Sequence, residues 1–175
     1  ELEIARKMQL SFLPHDFSNQ RSVQLHGMTL PAREVGGDFY DFFRLDDDHL
    51  SVLVADVSGK GVPAAFFMAV SRTLLRAVAQ FSTGPADCLQ RLNDLLAADN
   101  EELMFVTLYY AVIDTRDGSV VYSNAGHNPP YVVRGNGQPV WYLLYADEGH
   151  GFAKKANNDW YQAATMLFWQ QHLLD

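Results

Sequence analysis

Two aspartates, each set beside a glycine-bearing turn, constrain this chain more than any other feature. Gly36-Gly37 leads into Asp38 and the apolar run Phe39-Tyr40-Asp41-Phe42-Phe43. Asp46-Asp47-Asp48 then turns the chain, and Leu50-Ser51-Val52-Leu53-Val54-Ala55 reads as a more buried strand ending at Asp56. Residues 38–45 and 49–56 therefore predict an antiparallel hairpin. Such a pairing brings Asp38 and Asp56 together at one end of a sheet. Two converging carboxylates repel until a cation joins them, and hard oxygen donors favour Mg²⁺ or Mn²⁺. Two plainer readings stand beside this one: Asp38 as a turn cap, and Asp56 as the N-cap of the helix that follows.

That helix is expected over residues 61–80. Pro63 falls in its first turn, where a missing N–H costs nothing. Phe67, Val70, Leu74 and Val78 recur at helical spacing, and Gly61, Ala64 and Ala65 permit close packing at its start. A second helix is expected over 85–98, with Leu89, Leu92, Leu95 and Leu96 on one side. An amphipathic helix over 1–12, with Ile4, Met8 and Phe12 near one face, ends before Pro14. Strands are expected at Val23–Met28, 104–113, Val120–Tyr122, Tyr131–Val133 and Val140–Tyr145, and a last helix over 160–173. Strands, then two helices, then strands argue for an α+β fold rather than repeated βαβ units.

Other groups carry weaker signals. Gly59-Lys60-Gly61 lacks the Gly-x-x-x-x-Gly-Lys-Ser/Thr pattern of a nucleoside triphosphate loop, so Lys60 is read as a surface residue or a phosphate contact. In Asn124-Ala125-Gly126-His127-Asn128-Pro129-Pro130, Asn124 and Asn128 suit a tight loop held by side-chain-to-backbone bonds. His127 is read as a loop cap, with contact to a phosphate as the alternative. The formal net charge of -8 opposes a nucleic-acid partner at long range. The single cysteine, Cys88, excludes an intrachain disulfide and a cysteine metal cluster. No stretch reads as the roughly 20 apolar residues of a membrane span, so a cytoplasmic chain without membrane contact is expected. The acidic opening Glu1–Lys7 is unlike a signal peptide. Lacking an initiator methionine, it leads us to expect an upstream regulatory domain.

Taken together, Ala32-Arg33-Glu34-Val35-Gly36-Gly37-Asp38-Phe39-Tyr40-Asp41, Asp56-Val57-Ser58-Gly59-Lys60-Gly61, Phe105-Val106-Thr107-Leu108 and Asn124–Pro130 occur in the order found in one family. Over roughly residues 1–140 the chain resembles the metal-dependent PP2C-type (PPM) serine/threonine phosphatases of the bacterial sporulation and stress-response branch. The resemblance implies a PP2C-like antiparallel β-sandwich of two facing sheets flanked by helices. It implies two divalent metals, Mn²⁺ or Mg²⁺, at one edge. Asp38 and Asp56 would be metal ligands, Asp56 bridging, joined by the backbone carbonyl of Val57. It also implies attack of a metal-activated water on phosphoserine or phosphothreonine, in a phosphorylated anti-sigma-factor antagonist as partner. Eukaryotic relatives place a histidine, proposed as general acid, two positions after the bridging aspartate; here that position is Ser58.

The later Thr-Asp-Gly and Asp-Asp motifs of the family are not found after Pro139. Instead, Tyr145–Phe152 and Phe168–Leu174 resemble the end of a prolyl-oligopeptidase-like α/β-hydrolase, without a Gly-x-Ser-x-Gly elbow. The expected division is thus an incomplete phosphatase domain over 1–140 and an atypical strand-loop-helix tail over 141–175, packed on the same domain. A chain with an incomplete metal site would serve only as an interaction scaffold, which is the alternative function. A homodimer through Phe168, Trp169 and Leu173 is the corresponding expectation for assembly.

Overall fold

The punctuation read from the sequence sets most element boundaries in the computed structural model, which describes residues 1–17, 23–29, 34–98 and 100–130, together with Gln162, Ala163 and Met166. Helix α1 spans Leu2–Phe12. Strand β1 spans Phe39–Arg44 and β2 His49–Val57. Helices α2 (Val62–Ala79) and α3 (Pro85–Ala98) follow. Strands β3 (Val106–Asp114) and β4 (Val120–Ala125) complete the described elements. The four strands form one antiparallel sheet in the order β1-β2-β3-β4. This is the α+β arrangement expected. Contacts divide the chain into Glu1–Pro129 and Pro130–Asp175, and every element named above lies in the first unit.

Strand alternation decides what each face of the sheet carries. Phe39, Leu53, Ala55, Val57, Leu108 and Tyr110 meet Ala64, Met68 and Leu75 of α2 and Cys88 and Leu92 of α3 in one buried cluster. Ser51 and Tyr110 bond across β2 and β3 through their hydroxyls at 2.8 Å inside it. Burial pushes the Tyr110 phenol up to about 12 and also raises the Cys88 thiol. The opposite face carries Tyr109 stacked on Tyr122, with ring centroids 5.3 Å apart, and Phe17 lying against Phe42 and Tyr40.

One buried charge joins the helix layer to the sheet. The Asp41 side chain is wholly buried on the helix face of β1. Arg76 reaches it through two hydrogen bonds, 2.6 Å from Nε to Oδ2 and 2.7 Å from Nη2 to Oδ1. Arg72, one helical turn earlier, donates from Nη2 at 3.3 Å and brings Nε within 3.0 Å. The Phe42 N–H adds a bond of 2.9 Å to Oδ1. These two arginines bear on a further point. By length and composition α2 is apolar enough to cross a membrane. In this fold it packs as a helix on the sheet, anchored by charge.

Several expectations are corrected. Val23–Met28 forms no strand; it passes over Tyr40 so closely that a Cβ on Gly27 would fall 2.6 Å from the Tyr40 ring. The deep face of α2 is Ala64, Met68, Ser71, Leu75 and Ala79, one position away from the expected stripe, and Val70 is exposed. Ile4, Met8 and Phe12 of α1 point outward, and Gln9 is the buried residue. The second sheet of the sandwich, the strands at Tyr131–Val133 and Val140–Tyr145, and the dimer contact through Phe168, Trp169 and Leu173 lie outside the described residues. Of the expected 160–173 helix, Gln162, Ala163 and Met166 are described, and they are helical and exposed.

At the sheet end remote from Asp56, the two hairpin turns are tied together. Thr115 donates from N and Oγ1 to the Asp48 carbonyl at 2.8 and 2.9 Å. Hydrogen bonds from the Asp48 N–H, the His49 ring and the His49 N–H hold the Asp46 carboxyl below the usual carboxylate range. Arg116 does the same for Asp114, and the Ser119 N–H for Asp117. A carboxyl with a depressed folded pKa stabilises above its unfolded value and loses that contribution as pH falls through the folded one. The urea midpoint should therefore hold to about pH 4 and then fall as these groups protonate; a midpoint flat down to pH 2 would contradict this.

Asp41 gives the sharper test. Asp41→Ala leaves two arginines uncompensated beside the core and should cost about 3–5 kcal/mol in urea unfolding. Arg76→Met, which leaves Arg72 in place, should cost less. Equal losses, or a loss under about 1 kcal/mol for Asp41→Ala, would show that the pair does not fix α2 to the sheet.

Candidate metal centre

The β1–β2 register sets the geometry of the site. Phe39 pairs with Ala55, so one step further along the same ladder Asp38 stands opposite Asp56. Asp56 in turn pairs with Thr107 of β3. Directly opposed residues share a face, so Asp38, Asp56 and Thr107 form a row across the sheet end, on the face away from the helices. Asp38 is exposed and Asp56 half-buried. Asp41, three residues after Asp38, falls on the other face and belongs to the core rather than to this row.

The backbone at this end is tightly specified. Gly37 lies against Val57: a Cβ there would stand 2.8 Å from both the Val57 Cβ and its carbonyl oxygen. Gln9 of α1 holds the preceding residue from both sides, donating from Nε2 to the Gly36 carbonyl at 2.5 Å and accepting the Gly36 N–H at 3.1 Å. Beyond Val57, Ser58 extends the ladder: its N–H reaches the Phe105 carbonyl at 2.8 Å, and its Oγ accepts the Phe105 N–H at 2.9 Å. Gly59 and Gly61 take φ of 87° and 71°, a backbone that side-chain-bearing residues rarely adopt, and so turn the chain into α2. Lys60 between them is exposed.

The Asn124–Pro130 loop comes to the same end from β4. Asn124 donates to the His127 carbonyl at 2.9 Å and accepts the His127 N–H at 2.8 Å, closing a tight turn through Gly126 at φ 74°. The His127 Nδ1 shares a hydrogen bond of 3.0 Å with Thr107 Oγ1. Asn128 is exposed beyond it. The structure thus brings Asp38, Asp56, Val57 and His127 to one sheet end. It adds Gln9, Ser58 and Thr107, to which the sequence reading gave no role. Thr107 was legible only as part of a strand and of one family-like stretch, because its contact to His127 spans 20 positions.

As a donor set, two facing carboxylates and a carbonyl suit a hard divalent cation. Among the described residues no group of three His, Cys, Asp or Glu gathers about one point. Asp38, Asp56 and the Val57 carbonyl are the described candidates for such a site, and oxygen donors of this kind fit Mg²⁺ or Mn²⁺ better than a softer metal.

Comparison with known proteins places the chain in a family. The sequence profile of stage II sporulation protein E (SpoIIE) matches residues 46–149. Protein IcfG of a Synechocystis species is 36% identical over 165 residues, covering 78% of this chain and 26% of IcfG. Phosphoserine phosphatase RsbU of Bacillus subtilis is 28% identical, covering 75% of this chain and 39% of RsbU. The SiaA-PP2C domain of Pseudomonas aeruginosa superposes with a TM-score of 0.59 at 25% identity, over 70% of this chain and 51% of that one. The fold is that of a PP2C-type phosphatase domain, a metal-dependent class. Within it, the chain belongs to the SpoIIE family. It spans between a quarter and two fifths of the length of these curated relatives. The family match runs to residue 149, across the boundary expected at 140 and into the stretch expected to be a hydrolase-like tail.

Gly37 offers a direct test of the local geometry. Gly37→Ala should force β1 and Val57 apart and cost about 1–3 kcal/mol of stability, as overpacking does. Calorimetric Mn²⁺ binding should weaken in parallel. Unchanged stability and unchanged binding would mean the close approach is not required.

Proposed function

We propose that this chain removes phosphate from phosphoserine or phosphothreonine on a regulatory protein, using a divalent cation. The observation that carries the reading is the register that sets Asp38 opposite Asp56 beside the Val57 carbonyl. The kinship to RsbU, named a phosphoserine phosphatase, supports it. Asp38, Asp56 and the Val57 carbonyl would hold Mn²⁺ or Mg²⁺. Bound there, the cation supplies Lewis-acid polarisation of the phosphoryl group and activation of water. Lys60 stands at the mouth of the same loop as an exposed cation for the substrate's phosphate. Asn124 shapes the facing loop, and Asn128 extends it. The substrate we favour is a phosphorylated anti-sigma-factor antagonist in the cytoplasm, with an upstream regulatory domain governing access.

A second reading is a scaffold that binds such a partner without turnover. One observation favours it: among the described residues the donor set stops at two carboxylates and a carbonyl. The two readings part in one assay. With millimolar Mn²⁺, the enzyme should release phosphate from a phosphoserine protein, and Asp56→Ala should reduce release to background. No release from the unaltered chain at any Mn²⁺ or Mg²⁺ concentration would sink the enzymatic reading and leave the scaffold.

A further inference from the structure

The turn between α3 and β3 holds an apolar side chain out in water on a strained backbone. Leu103 takes φ 51°, in the left-handed region that leucine seldom enters, and it is 83% exposed. Asn100 closes the turn: its Nδ2 donates to the Met104 carbonyl at 2.6 Å, and its Oδ1 accepts the Met104 N–H at 2.9 Å. The Leu103 N–H reaches the Asn100 carbonyl at 3.2 Å. The strain wins no packing for the leucine inside the chain. Strain of this kind collects where a chain binds something else. Phe105, two residues on, is 62% exposed.

Beside this turn lies a pocket of about 210 Å³, open to solvent. Phe67 of α2, Leu89 and Leu96 of α3, Met104, Val106 of β3 and Ala125 of β4 line it, with Phe105 at its lip. That is smaller than the roughly 300–1,000 Å³ of small-molecule sites. It suits one bulky apolar side chain of a protein, the kind of anchor that fills a pocket in an interface. The rim is acidic. Glu101 and Glu102 precede Leu103 and are exposed, and the exposed Asp94 follows the lining residue Asn93. Arg91, the sole basic residue of α3, is turned to Asp87 at 3.0 Å. An apolar pocket so bordered complements a partner that brings lysine or arginine beside its anchor. A symmetric contact between two copies would set this rim against itself, and an anionic lipid surface would repel it.

The pocket adjoins the candidate metal centre. Val106 lines it and pairs with Val57, and Phe105 bonds to Ser58 through both N–H and carbonyl. Neighbouring strands stand about 4.8 Å apart, so a protein seated on Phe105 lies close to the Asp56 end of β2.

We propose that this pocket, with Leu103 and Phe105 as its lip, docks the phosphorylated partner protein through one bulky apolar side chain flanked by lysine or arginine. The proposal rests on the phosphatase reading above and deepens it, naming what the chain recognises apart from the phosphate. Glu101, Glu102 and Leu103 take no part in the chemistry.

The test uses the full chain with Mg²⁺, ¹³C-methyl methionine, and unphosphorylated peptides in which lysines flank a central tryptophan, leucine or alanine. The tryptophan and leucine peptides should shift the Met104 methyl resonance; the alanine peptide should not. Glu101→Lys with Glu102→Lys should weaken the tryptophan peptide about tenfold. Leu103→Asn should weaken it by a similar factor while raising the melting temperature, because asparagine accepts a left-handed backbone more readily than leucine. With phosphoserine joined to the tryptophan peptide by a flexible glycine linker, kcat/KM should fall about tenfold in Leu103→Asn. Hydrolysis of p-nitrophenyl phosphate should not change.

A Met104 methyl that ignores every peptide, or answers the alanine peptide equally, overturns the pocket. So does a Leu103→Asn chain that loses stability and keeps its affinity, or a dimer in light scattering that this substitution dissociates. Linked phosphopeptides hydrolysed equally well with tryptophan or alanine overturn the assignment to the phosphorylated partner. Failure of the phosphatase reading looks different: neither substrate releases phosphate, while the Met104 methyl still answers the tryptophan and leucine peptides. That result would uphold the docking site and leave the chain a scaffold.

Discussion

The arrangement depends first on Asp41, a carboxylate taken wholly out of water on the helix face of β1. Burying a charge costs several kcal/mol unless partners surround it. Here two guanidinium groups one turn apart on α2, and one backbone N–H, do so. The arginines respond unequally: burial lowers the Arg72 pKa, while the hydrogen bonds to Asp41 raise that of Arg76. Both stay charged, since an arginine is not deprotonated in this range. Such a pair adds less to stability than its geometry suggests, because desolvation offsets much of the attraction. Its stronger effect is on specificity. A helix as apolar as α2 has many ways to lie on a greasy sheet; paired to Asp41 at Arg72 and Arg76, it has one.

That constraint reaches the candidate site through alternation. Asp38 and Asp41 are three positions apart, so they fall on opposite faces of the strand line. With Asp41 fixed inward, Asp38 is set outward, opposite Asp56. The same short motif therefore anchors the core and presents the candidate ligand. Around it, Gln9 grips Gly36, Gly37 abuts Val57, Ser58 joins Phe105 and Thr107 joins His127. These links come from five separate segments and converge on one sheet end. The remote end is held differently, by partly exposed carboxylates with His49 and Arg116, where water and salt weaken each pair.

Much of this was legible in the sequence where local chemistry is strong. Gly36-Gly37, Asp46-Asp47-Asp48, Pro63 and Pro85 marked the hairpin and both long helices to within a residue or two, because glycine and aspartate suit turns and proline suits the first turn of a helix. The convergence of Asp38 and Asp56 followed from antiparallel pairing alone. Periodicity failed where packing decides. The alternation of Val23–Met28 promised a strand, yet the segment instead lies over Tyr40. Phe67, Val70, Leu74 and Val78 promised a buried stripe, yet the face buried deepest lies one position on, at Ala64, Met68, Ser71 and Leu75. Gln9 gave no signal, since a hydrogen bond to Gly36 across 27 positions leaves no local pattern.

Ser58 shows why a site residue and its role need not travel together. In the eukaryotic relatives that the motif resembles, this position carries a histidine proposed as an acid. Here a short hydroxyl side chain accepts the Phe105 N–H at 2.9 Å and carries the ladder one step past Val57 and Val106. Together with the Ser58 N–H, which donates to the Phe105 carbonyl at 2.8 Å, it helps fix the peptide on which the Val57 carbonyl sits. Here Ser58 takes up the histidine's position, and the chain carries an imidazole to the same sheet end from β4, on a turn closed by Asn124 through Gly126.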